Sequence, residues 1–141
     1  MLLLCVLVAG STSVWADDAD FAPSNFTDQG TSGSGSVISA TVKGVTFTCD
    51  KGYGTTQIRC YSGGEITIYS TNTITGIAFT FSGSYTGGLE TSYTGLSTTS
   101  WKKTLTSQAR ITAITVTYTA SSSTPSSGVA FADGTPSLDL K

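Results

Sequence analysis

Between Arg110 and Thr119, Ile114, Val116 and Tyr118 alternate with Ala113, Thr115 and Thr117. A repeat of two sends one set of side chains to each face of a pleated strand, whereas a helix would need apolar residues at i, i+3, i+4 and i+7. That helical spacing occurs over no useful length of this chain, and the repeat of two recurs. Val45 and Phe47 face away from Thr46 and Thr48, Ile58 and Cys60 share a face in Gln57 to Tyr61, and Ile77, Phe79 and Phe81 share one in Ile74 to Ser82. Glu65 to Ser70 and Trp101 to Thr106 are shorter runs, with Leu105 as the core residue of the second. The expected core is therefore Val45, Phe47, Ile58, Ile66, Ile68, Ile77, Phe79, Phe81, Ile114 and Val116.

Turn chemistry separates these runs. Asp50-Lys-Gly-Tyr-Gly54 and Ser62-Gly-Gly64 read as turns, Tyr85 to Ser100 as a loop-rich stretch with one or two short strands, and Asp17 to Gly35 as polar chain anchored by Phe21 and Phe26. Short strands with one apolar face predict an all-β fold, an antiparallel two-sheet β-sandwich of jelly-roll-like topology. An immunoglobulin-like topology is the alternative, because periodicity does not separate the two. Composition agrees. Ser and Thr make up about a third of the chain and Gly adds 16 residues, which suits strands with many turns. Charged residues are only 11%, against roughly 25% in an average domain, but the 38% hydrophobic content and its regular spacing argue against disorder.

Leu2 to Ala9 is a short apolar run, followed by small residues, Val14-Trp-Ala16 and then Asp17-Asp18. This reads as a secretory signal cleaved after Ala16, although no Lys or Arg precedes the run. It is too short to span a bilayer, so no membrane insertion is expected once it is removed. Cys5 follows Leu4 rather than a small residue at the cut, which argues against lipidation there. The domains then read as residues 1–16 signal, 17–119 sandwich, 120–128 Ser-rich linker and 129–141 the truncated start of a following domain, so that the module is tethered to more of the same protein. The expected location is secreted or at the cell surface.

The absence of His removes Ser-His-Asp and Cys-His catalysis and every His-containing metal site. Glu65 and Glu90 are the only glutamates, too sparse a basis for a glycosidase pair. Asp17, Asp18, Asp20 and Asp28 match no calcium loop. No enzyme, cofactor or metal is expected. A net charge of −2 with Lys102-Lys103 as the one adjacent basic pair also sets nucleic acid aside as a partner. Asn25-Phe-Thr27 matches the N-glycosylation pattern.

Two features remain. Cys49 and Cys60 point inward on neighbouring strands, and an exported chain meets an oxidising compartment, so a Cys49–Cys60 disulfide is one reading and two buried thiols that never meet is the other. Tyr53, Tyr85, Tyr93 and Trp101 lie at turns or outward positions, where a ring can stack on the C–H face of a sugar. They are the candidate ligand-binding residues, with carbohydrate as the expected partner, against the alternative that they close the ends of the sandwich.

The succession Val45-Thr-Phe-Thr, Ile58-Arg-Cys-Tyr, Glu65-Ile-Thr-Ile-Tyr, Thr73-Ile-Thr-Gly-Ile-Ala-Phe-Thr-Phe81 and Arg110-Ile-Thr-Ala-Ile-Thr-Val-Thr-Tyr118 resembles a group of Ser/Thr-rich secreted β-domains in Bacteroidetes surface proteins. The resemblance covers about residues 37 to 119, and Val129 to Lys141 looks like the opening of an immunoglobulin-like repeat. It implies a cell-surface setting and supplies no catalytic residues. The expected function is a non-catalytic extracellular module for glycan binding or adhesion. The alternative is a structural spacer with no small ligand.

Overall fold

The computed structural model describes residues 14–26, 35–54 and 56–121, so the predicted signal core, the predicted linker beyond Ser121 and the following domain lie outside the described residues, while Ala120 and Ser121 belong to the last strand. The described chain forms β1 (Val14–Phe21), β2 (Ser36–Val42), β3 (Val45–Gly54), β4 (Ile58–Cys60), β5 (Glu65–Thr86), β6 (Ser92–Thr104) and β7 (Ala109–Ser121), with one 3-10 turn at Pro23–Asn25. Ala16–Thr119 is one compact unit. The pairings among β2 to β7 are antiparallel. Among the described residues no helix is long and apolar enough to cross a membrane.

The all-β, antiparallel class is as the alternation predicts, but the strands are not divided between two separate sheets. All seven join one hydrogen-bonded sheet, and four of them close a ring: β3 pairs with β4, β4 with β7, β7 with β5, and β5 with β3. The length of β5 permits this. Its first part, Ile66–Ser70, pairs with β3, and Thr73–Thr86 pairs with β7. Between them the register shifts from Tyr69 to Ile74, and buried Ser70 takes the Asn72 N–H on its hydroxyl at 3.0 Å. The bend therefore satisfies a backbone donor that the ladder releases. Glu65–Ser70 and Ile74–Ser82, two strands by sequence, are one bent strand. Likewise Tyr85–Ser100 is less loop-rich than its composition suggests, because β6 runs unbroken from Ser92 to Thr104 against β5.

The interior holds nine of the ten expected core residues, and the tenth, Phe81, is only half-buried, stacked at 5.9 Å on Phe79. Phe47 is fully buried, with Phe26 edge-on at 5.5 Å and Phe21 at 6.3 Å. These two anchors bring the polar N-terminal segment onto the core, and part of that segment is strand β1 rather than loop. Its acids face Thr-rich β7: Asp20 accepts from Thr115 and Asp18 from Thr117, both at 2.7 Å. Asp17 accepts from Tyr118 at 3.3 Å and pairs with Lys43 at 3.2 Å. Such cross-strand pairs hold a polar edge strand that has little apolar surface of its own.

The turn expected at Asp50–Gly54 is also absent, since β3 runs through it. Gly52 and Gly54 are inward positions, where a β-carbon would collide with Ile38 and lie 3.3 Å from Phe26. Gly here marks close packing against the strand and not chain reversal. The reversal comes after Gly54, and the next turn, at Ser62-Gly63, is as expected, with Gly63 at φ 78°.

Candidate ligand-binding face

On β4, Ile58 and Cys60 are buried, so Arg59 between them points to the outer face. On β7, Ala109 and Ile111 are buried, and Arg110 points out in the same way. The register then pairs Tyr53 of β3 with Arg59 and Arg59 with Arg110. Residues directly opposite each other share a face. Tyr85 completes the row. It precedes Thr86, the partner of Ala109, in an irregular part of β5, and its ring lies 4.0 Å from Cζ of Arg110. The outcome is one outward row, Tyr53–Arg59–Arg110–Tyr85, with one residue from each strand of the ring.

The two arginines are the only ones in the chain. Arg110 donates from Nε to Gln108 Oε1 at 2.9 Å, which orients its guanidinium over Tyr85. Arg59 Nε is buried with no hydrogen-bond partner, and so is Oε1 of Gln57, in the bend just before β4. The two ion pairs of the described residues are Lys43–Asp17 and Lys102–Glu65, and neither includes an arginine. Asp50, on β3 near Lys51, is engaged by the Glu65 N–H at 2.7 Å.

Of the four aromatics singled out by sequence, Tyr53 and Tyr85 belong to this row. Tyr53 is half-buried and Tyr85 is 45% exposed. Tyr93 and Trp101 lie elsewhere, on β6, with centroids 4.9 Å apart. Both also pack on Phe79, at 6.3 and 6.0 Å, and the Tyr93 hydroxyl accepts the Glu90 N–H at 3.0 Å. The physical reason is register: Tyr93 opposes buried Ile77 and Trp101 opposes buried Ile68, which turns both rings toward the core side.

Cys49 and Cys60 are fully buried free thiols, placed on the inner face by the same alternation. They hydrogen-bond to each other, and that bond, followed by burial, pushes the Cys60 thiol well above its ordinary range. Glu65 is half-buried in its pair with Lys102, and Glu90 is exposed. Among the described residues no cluster of three His, Cys, Asp or Glu is placed to hold a metal. The acids of β1 are taken up by the Thr, Tyr and Lys partners above.

Sequence reasoning passed over Arg59, Arg110 and Gln57. One signal was present: each arginine stands at the outward position of an apolar pair, Ile58-Arg-Cys60 and Ala109-Arg-Ile111. That they oppose each other depends on pairing between strands about fifty residues apart, which local periodicity does not encode. No family model, curated protein or solved structure matches this chain.

Proposed function

We propose that the chain is a non-catalytic extracellular binding module, secreted or displayed on a cell surface, that engages glycans on the outer face of its four-strand ring. It belongs, on this reading, with the Ser/Thr-rich surface domains that its strand order resembles. The observation that carries the proposal is the row Tyr53–Arg59–Arg110–Tyr85. A flat aromatic ring stacks on the C–H face of a sugar, and guanidinium donors between two rings meet its oxygens. The halves of β5 on either side of its bend support a sandwich-like, jelly-roll-related layering under this face. Tyr93 and Trp101, packed on Phe79, serve as the plug at the β6 edge.

A few stacked rings and hydrogen bonds give weak single-site affinity, in the micromolar to millimolar range, equal to roughly 4–8 kcal/mol. Firm attachment then comes from repetition along a surface protein. The test is a glycan-array screen followed by calorimetric titration of the full chain, with Tyr53→Ala, Tyr85→Ala and Trp101→Ala variants. The expected result is glycan binding that weakens in the first two and persists in the third. If no glycan binds at millimolar concentration, the spacer reading replaces this one.

A further inference from the structure

Resting on the glycan reading of this face, we infer that its ligand is an acidic glycan, and that Arg59 and Arg110 together hold a sulfate or carboxylate group of the sugar chain. Three observations converge on this. First, the chain's only two arginines are direct cross-strand partners. Like charges placed opposite each other on one sheet face repel, and a guanidinium does not shed its proton to relieve that repulsion. Second, among the described residues neither arginine has a carboxylate partner. Arg59 Nε has no partner, and Arg110 Nε donates to Gln108. Third, among the described residues Arg59 Nε is one of the two buried side-chain polar atoms left without a partner, the other being Oε1 of nearby Gln57. Buried polar groups without partners are rare in folded proteins and call for a ligand or an ordered water.

One anion satisfies all three. Two opposed guanidinium groups present paired N–H donors to the oxygens of a sulfate or carboxylate, the geometry in which arginine binds such groups best. Tyr53 and Tyr85, one at each end of the row, take the neighbouring rings by stacking. The aromatic ends favour a carbohydrate over an acidic peptide, and the overall negative charge of the chain disfavours a polyphosphate backbone, which needs a wider basic surface.

The test titrates the full chain with a sulfated glucosaminoglycan octasaccharide, its fully desulfated counterpart, inorganic sulfate and poly-glutamate. The variants are Arg59→Gln, Arg110→Gln and, as a charge control on β6, Lys103→Gln. Thermal melting shows that each variant is folded, and Arg59→Lys, which keeps the charge but loses the fork, replaces Arg59→Gln if that variant is not. The expected result is binding of the sulfated octasaccharide at least tenfold tighter than the desulfated one. It should weaken at least tenfold in either arginine variant, stay unchanged in Lys103→Gln, and decline with added salt. Equal affinity for both octasaccharides, unaffected by the arginine variants, overturns the acidic-ligand inference and leaves the glycan reading standing. Poly-glutamate binding as tightly as the sulfated chain overturns the assignment to a carbohydrate, and binding of neither octasaccharide removes the glycan reading itself.

Discussion

Replacing Phe79 with Ala tests the packing on which the register of β5 depends. Phe79 is 4% exposed and touches three other rings, Phe81, Tyr93 and Trp101. Removing a buried phenyl forfeits its transfer free energy and leaves a cavity, together about 3–5 kcal/mol. The size of the cavity term depends on how well the surroundings collapse. Here Tyr93 and Trp101 sit on β6, which ends the sheet, and both are only half-buried, so they can relax into part of the space. The lower half of the range, about 3–4 kcal/mol, is therefore expected. At about 4 °C per kcal/mol for a unit of this size, the melting temperature falls by on the order of 12–16 °C. Urea unfolding, followed by tryptophan emission in a Trp15→Phe background so that Trp101 is the sole reporter, measures both the loss and the change around Trp101. A loss under about 1 kcal/mol with unchanged Trp101 emission would mean that Phe79 faces solvent and that β5 is displaced by one residue, since a one-residue slip exchanges the faces.

The Cys49–Cys60 pair is expected to be closed to alkylation in the native state at neutral pH, because both sulfurs are buried and the Cys60 thiol is raised by its bond to Cys49. After refolding in a glutathione redox buffer, the intact mass should be lower by two hydrogens as the pair closes to a disulfide; alkylation of Cys49 and Cys60 in denaturant without prior reduction, located by peptide mapping, would refute the closure. The Asp17–Lys43 contact sets a pH signature. The Asp18 N–H, then Lys43, lower the Asp17 carboxyl below 3.8, so its contribution is complete above that pH and is lost as pH falls through the depressed value. Lys43 is raised above 10.5 by Asp17, so its share is complete below 10.5 and is lost as pH rises through the raised value. Both groups are exposed and the effect is small; Asp17→Asn should flatten the acid limb of a melting-temperature profile, and an unchanged limb would place the effect elsewhere.

The alternation made most of the core legible because burial in a strand is a local property of every second residue. Ile58, Ile68 and Val116 are inward whatever strand lies beside them. What was illegible depends on partners distant in sequence. Asp17 to Asp20 look like a loop because they are polar, and they become strand because the Thr115 and Thr117 hydroxyls donate to Asp20 and Asp18. Gly52 and Gly54 look like a turn because Gly usually supplies one, yet their lack of a side chain is used by Ile38 and Phe26. The single bent β5 could not be read because Thr71 to Thr73 carry no apolar pattern of their own, and the strand passes there from its pairing with β3 to its pairing with β7. The aromatic candidates divided for the same reason: Tyr53 and Tyr85 point out and Tyr93 and Trp101 turn toward the core side, and only cross-strand register distinguishes the two cases.

The arrangement of charge along β7 bears on what neutralises the arginine pair. Arg110 stands near the start of this strand, while the residues bonded to the β1 acids, Thr115, Thr117 and Tyr118, stand five to eight positions further on. At about 3.3 Å per residue this separates the two groups by roughly 17–26 Å, against a screening length of about 8 Å at physiological ionic strength. The acids are thus too distant to offset the arginines, and each is already engaged by a partner next to it. The β1 acids lie beside one end of β7 and the arginine pair beside the other, so an anionic chain approaching this surface is drawn to Arg59 and Arg110 and repelled from the β1 edge. A neutral glycan would experience neither effect, and a spacer would gain nothing from leaving two opposed cations without a counter-charge in a chain that has so few charges to place.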